Sequence, residues 1–168
     1  MTRTVAKRSR RPSRAVRKVA PAAVSVESAV VGVRYIESSA LGAALLEQDA
    51  EALKSLRARA RQITSALTLA EAARAIVRAR VGERLTPDVE RAAVRALWRF
   101  ERRCYVVAVT DDVLARVRRP FPVEPVRTLD AVHIATVELL AEPPQLMSIV
   151  TRDHRVRENA KALGYSVE

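Results

Sequence analysis

The chain has 168 residues, 49% of them apolar, which suits one domain with a packed interior that needs no disulfide or structural metal. Its one cysteine, Cys104, cannot form an intrachain disulfide, and no Cys/His spacing suggests zinc, so a reducing, cytoplasmic setting is expected; no uncharged apolar run approaches the ~18 residues of a membrane-spanning helix. The formal charge of +11 is unevenly placed, because residues 1–26 carry eight basic residues and no acid, leaving +3 (11 less 8) on everything after.

This imbalance divides the chain into a basic tail over residues 1–28 and a domain over residues 29–168. Three readings of the tail are open: a disordered arm attracting nucleic acid non-specifically, an arginine-rich targeting segment, or the product of too early a start codon. A solvated, dispensable arm is the plainest of them.

Ala29–Ile36 is short, β-branched and nearly uncharged, the pattern of a strand buried on both faces. Ser38 and Ser39 offer N-caps for a helix beginning near Ala40, and Gln48–Arg61 reads as a second helix. Ile63–Leu67 reads as a strand, and Thr68-Leu69-Ala70-Glu71 as a capping box opening a helix to about Val81. Thr86-Pro87-Asp88 starts the next helix, whose stripe Val89, Ala93, Leu97, Phe100 keeps helical period up to Arg102 and Arg103. Tyr105–Val109 is a second candidate buried strand, Asp111–Val117 a short helix, and Leu129–Ala141 a helix stopped by Pro143-Pro144. Leu146–Val150 is a strand, Asp153–Leu163 a helix closed by Gly164, and Tyr165–Val167 a last strand. Strands alternate with helices throughout. The expected fold is therefore an α/β, three-layer α/β/α sandwich with a central, mainly parallel sheet of four to five short strands.

Sites in such sheets form at the carboxyl ends of the strands. Glu37 follows the first strand, Glu71 opens the helix after the second, Asp130 lies in the first turn of the Leu129 helix, and Asp153 follows the strand ending at Val150. Four carboxylates drawn together repel one another unless a cation intervenes, and oxygen-only ligands select hard ions, Mg²⁺ or Mn²⁺. Such a centre can ionise a water and offset charge growing on a phosphate. Taken singly, Glu71, Asp130 and Asp153 are each accounted for by helix capping or the helix dipole. Glu37, at the end of a buried strand, has no obvious capping task. The joint placement favours a site.

These residues resemble the PIN-domain family, most closely the VapC-type toxins of bacterial toxin–antitoxin pairs. The resemblance rests on Tyr35-Ile36-Glu37-Ser38-Ser39-Ala40-Leu41, Thr68-Leu69-Ala70-Glu71, Leu129-Asp130-Ala131-Val132-His133-Ile134-Ala135-Thr136, and Thr151-Arg152-Asp153 with Ala162-Leu163-Gly164. These blocks stand in family order from about residue 33 to the end. It implies a magnesium-dependent endoribonuclease whose metal-binding and catalytic acids are Glu37, Glu71, Asp130 and Asp153, with Ser39 supporting them. It further implies RNA as substrate, a homodimer, and a cognate antitoxin whose tail plugs the acidic pocket. The chain departs from the family at Glu37, where aspartate is usual; the extra methylene moves the carboxylate by roughly 1.5 Å, against the near-ideal geometry that magnesium demands. A second reading follows from that departure: a degenerate PIN domain that binds RNA or a protein partner without cleaving.

Arg74 and Arg78, three and seven positions after Glu71, share its helix face and suit phosphate positioning, Arg74 standing nearer the acids. His133, one turn from Asp130, reads as a packing or hydrogen-bonding residue. Trp98 and Phe100 read as core or dimer contacts, and aromatics at only 4% argue against binding single strands by stacking.

Overall fold

A computed structural model describes residues 32–168, so the basic tail and the first residues of the expected opening strand lie outside the described part. Five parallel strands form one sheet: β1 (Val33–Ile36), β2 (Arg61–Ser65), β3 (Tyr105–Val107), β4 (Met147–Val150) and β5 (Ser166–Val167), in the order β3-β2-β1-β4-β5. Among the described residues the α-helices are α1 (Ser38–Gly42), α2 (Ala50–Arg57), α3 (Ala66–Val81), α4 (Pro87–Glu101), α5 (Asp111–Val117), α6 (Thr128–Leu139) and α7 (His154–Ala162). No described helix is long and apolar enough to cross a membrane.

Side-chain alternation along β1 builds the two outer layers. Val33 and Tyr35 point into a core shared with α5, α6 and α7 through Val113, Ile134 and Val156. Ile36 joins the opposite core, where Leu41, Ile76, Leu97 and Phe100 pack from α1, α3 and α4. The result is the α/β/α sandwich expected from the alternation of elements.

Several boundaries differ from the sequence reading, each for a local reason. The helix expected to open at Thr68 starts two residues earlier, because Ser65 is its N-cap and accepts from the Thr68 amide at 3.1 Å. Thr68 is buried inside the first turns, and Glu71, released from capping, is free for other partners. Ser38 and Ser39 lie within α1, whose N-cap is Glu37, with its carboxylate accepting from the Ser39 amide. The strand at Tyr105 is the sheet edge rather than a buried strand, and Tyr105 is 60% exposed. Phe100 is buried as expected, but Trp98 is 57% exposed and belongs to no core. Gly164 stands just beyond α7 at φ +88°, a left-handed conformation that lets the chain turn into β5.

Candidate metal centre

β1 and β4 are hydrogen-bonded neighbours, with Ile36 paired to Val150, so the residues that follow them emerge side by side. Glu37 follows β1 and donates its amide to the Val150 carbonyl at 3.0 Å; Thr151, Arg152 and Asp153 follow β4. α3 and α6 bring Glu71, Asp130 and His133 to the same end of the sheet.

Glu37 is buried, 3% exposed, and its carboxylate is densely ligated by the protein. Oε1 accepts from Ser38 Oγ at 2.6 Å, and Oε2 accepts from the Ser39 amide at 3.0 Å, from Thr151 Oγ1 at 2.8 Å and from Ser39 Oγ. The Ser39 hydroxyl is a hub, since it also accepts from the amides of Arg152 (2.8 Å) and Asp153 (3.0 Å). These donors offset the loss of water around the buried carboxylate. The capping task that the sequence did not reveal for Glu37 is therefore real. Thr151, which sequence reasoning passed over, is one of its fixing donors; its place in Thr-x-Asp was the available signal.

Glu71 is tied to the same point through His133. His133 Nε2 lies 2.7 Å from Glu71 Oε2 and 3.6 Å from Glu37 Oε1, and the ligating atoms of these three residues fall within 4.8 Å of one another. Tyr35 Oη stands 3.0 Å from His133 Nδ1. Burial pushes the Tyr35 phenol well above its ordinary value. His133 thus bridges Tyr35 and Glu71 through its two ring nitrogens and fixes where the Glu71 carboxylate points. Burial works to raise the Glu71 carboxyl, but the His133 hydrogen bond and charge, with the Ser38 hydrogen bond and the Arg78 charge, together outweigh it and hold Glu71 below the usual carboxylate range.

Asp130 is treated in the opposite way. Its Oδ2 is buried without any hydrogen-bond partner, and its carboxyl is pushed up, first by burial and then by the charges of Asp153 and Glu37. Asp153 caps α7 through Oδ1, which accepts from the amides of Arg155 (2.7 Å) and Val156 (3.1 Å), and its second oxygen takes no part in the cap. An orphaned carboxylate oxygen among like charges is the arrangement that a hard divalent cation relieves, and an all-oxygen donor set suits magnesium or manganese. Among the described residues, the group whose ligand atoms lie within 4.8 Å of one another is Glu37, Glu71 and His133, not the four acids as a closed set.

A cleft of about 540 Å³ opens beside Glu71, walled by Ser38, Ser39, Asp49, Arg78, Arg84 and Arg152 among others. Arg78 is thus in the wall, whereas Arg74 is exposed on α3 and not among the lining residues. Arg84 and Arg152 were missed by sequence reasoning. Arg152 had a signal, being the central residue of Thr-x-Asp; nothing in the spacing of Arg84 marks it.

The geometry can be set beside known proteins. The PIN domain family model matches residues 34–162. The chain belongs to the PIN-domain family. This PIN domain is 37% identical over 137 residues to Ribonuclease VapC35 of Mycobacterium tuberculosis, a match covering 79% of this chain and 93% of that protein. Among solved structures, PAE2754 from Pyrobaculum aerophilum aligns with TM-score 0.56 at 23% identity, covering 86% of this chain and 89% of the other. VapBC-1 from nontypeable Haemophilus influenzae aligns with TM-score 0.51 at 12% identity, covering 81% and 96%. These two structures share the PIN fold; the sequence match to VapC35 carries homology to a ribonuclease.

Proposed function

We propose that this PIN domain is a metal-dependent endoribonuclease, the toxin of a toxin–antitoxin pair, hydrolysing RNA phosphodiesters at the acids Glu37, Glu71, Asp130 and Asp153. The observation that carries the reading is the buried, unpartnered Oδ2 of Asp130, its carboxyl pushed up by burial and then by the neighbouring acids, at the end of the sheet where the family keeps its site. Asp130, Asp153, Glu71 and Glu37 would hold Mg²⁺ or Mn²⁺, which when bound supplies positive charge to acidify a water and to neutralise the phosphate. Glu37 and Ser39 fix the position of the loop after β4, because Ser39 Oγ holds the amides of Arg152 and Asp153. His133 aims Glu71. Arg78 in the cleft wall, and Arg74 beside it on the same helix, neutralise the phosphates of an approaching strand. A homodimer and an antitoxin that enters the acidic cleft complete the proposal, supported by the similarity to VapC35 and to a VapBC assembly.

A second reading, binding without cleavage, is favoured by one observation: Glu37 Oε2 already accepts three protein donors, which leaves it little capacity for a metal. One experiment separates the two. A mixed RNA pool is incubated with the purified chain in Mg²⁺ or Mn²⁺, with EDTA and Asp130→Asn as controls. Metal-dependent cutting that Asp130→Asn abolishes is expected; RNA retention without cutting in either metal would transfer the conclusion to the binding reading.

A further inference from the structure

The acid-lined cleft has a neighbour. A second concavity of about 590 Å³ is walled by Arg34, Lys54, Ser55, Arg152, Arg157 and Glu168, with Glu51 and Ala58 completing the lining. Arg152 lines both clefts, and its guanidinium pairs with Asp49 of the first at 2.7 Å, so this ion pair stands at their junction.

The wall of the second cleft sets four cations against two acids, and Arg34 is committed to Glu168 at 2.8 Å, which leaves Lys54, Arg152 and Arg157 for a ligand. Its internal pairing is weak where it is exposed: Lys54 and Glu51 stand 3.6 Å apart with both side chains more than 70% exposed. Arg157 spends one guanidinium nitrogen on the Thr151 carbonyl at 2.8 Å and keeps its other donors. The Arg152–Asp49 pair is partly exposed, 29% and 38%, so a phosphate can take the place of the carboxylate at small cost. No aromatic residue lines either cleft, which leaves charge rather than base stacking as the means of recognition. The backbone amide of Arg152 is meanwhile fixed by Ser39 Oγ, the same hydroxyl that donates to Glu37, so Arg152 is held at a set position relative to Glu37.

We propose that the second cleft binds the phosphate backbone of RNA nucleotides flanking the point of attack. The strand passes from the acid-lined cleft over Arg152 and onto Lys54 and Arg157. This rests on the reading of the chain as a protein that acts on RNA, and it adds where the rest of the strand lies.

The test is fluorescence anisotropy with labelled oligouridylates of about four, eight and twelve nucleotides, lengths that span one and both clefts. It is run in EDTA so that nothing is cut, and across a salt series. Lys54→Glu and Arg157→Gln are compared with Arg95→Glu, an exposed arginine on α4 outside both linings that makes the same charge change as Lys54→Glu. Wild type is expected to bind the longest oligomer about tenfold more tightly than the shortest, and Lys54→Glu and Arg157→Gln to lose most of that gain, the salt slope falling by about 0.7 for each phosphate contact removed. Arg95→Glu keeps the gain. A wild type that gains nothing with length, or an Arg95→Glu protein that loses as much as Lys54→Glu, overturns the proposal. Parallel incubation in Mg²⁺ keeps the two readings apart: binding that grows with length in a protein that cuts nothing would remove the nuclease and leave the second cleft standing.

Discussion

Replacing Asp130 with asparagine separates stability from function in this domain. The wild-type carboxylate has one buried oxygen with no partner, and burial, Asp153 and Glu37 all push its pKa upward. A folded-state pKa above the unfolded value means that the folded state binds the proton more tightly, so this group opposes folding once it ionises and stops opposing it as the pH falls through the raised value. At neutral pH without metal, Asp130 is therefore a net cost. Leaving a buried acceptor unsatisfied costs about 1–3 kcal/mol, and the partial exposure of Asp130 places the cost near the lower end, about 1 kcal/mol. For a domain of this size that corresponds to a melting temperature about 3–5 °C higher for Asp130→Asn than for wild type in EDTA. Added Mg²⁺ should raise the wild-type value and leave the variant nearly unmoved, since only the wild type keeps the full charge that binds the ion. Scanning fluorimetry in EDTA and in Mg²⁺ at pH 7, repeated in EDTA at pH 4, reads all of this, and the gap between the two proteins should shrink at the lower pH. An asparagine variant that melts below wild type in EDTA, or equal magnesium shifts in both proteins, would refute the reasoning.

Four further outcomes are expected. Glu37→Asp withdraws the carboxylate from donors arranged for the longer side chain, so it should cost about 1–3 kcal/mol in chemical denaturation and should not increase RNA cleavage; a gain in cleavage would mean that the pocket is built for aspartate. His133→Ala should destabilise by about 2–4 kcal/mol by opening a cavity and orphaning the Tyr35 hydroxyl, and should lower kcat through the release of Glu71, with His133→Gln recovering part of the stability. Arg78→Ala should raise KM for RNA and reduce the salt dependence of binding with little change in kcat, measured by initial rates at several salt concentrations. Burial works to raise Glu168, but Arg34, Ser148 and Ser55 hold its carboxyl low. Its contribution to stability is therefore complete above the ordinary carboxylate pKa and lost as the pH falls through the lowered folded value, so Glu168→Gln should destabilise at pH 7 and converge with wild type in acid.

The layers are legible in the amino-acid pattern. Apolar runs of strand length alternate with helices that carry capping residues of their own, and this allows little besides a parallel sheet between helices. Thr86-Pro87 marks a helix start that the structure keeps, because an N-cap is satisfied by atoms within three residues of itself. Glu37, Glu71, Asp130 and Asp153 stand out in the sequence as a candidate group by their places after strands and at helix starts. What each acid does is not legible there. Two cap choices, Ser65 over Thr68 and Glu37 over the serines after it, depended on where neighbouring strands ended. That is a matter of register between segments far apart in the chain. The tie from Tyr35 through His133 to Glu71 joins residues up to 98 positions apart, and no local spacing encodes it. Arg152 likewise acquired two clefts and Asp49 as its partner only when β4 was laid beside β1. Hydrogen bonds within a turn are fixed by the chain's own geometry, whereas charge coupling and cleft walls depend on which distant elements pack together, and only the tertiary structure decides that.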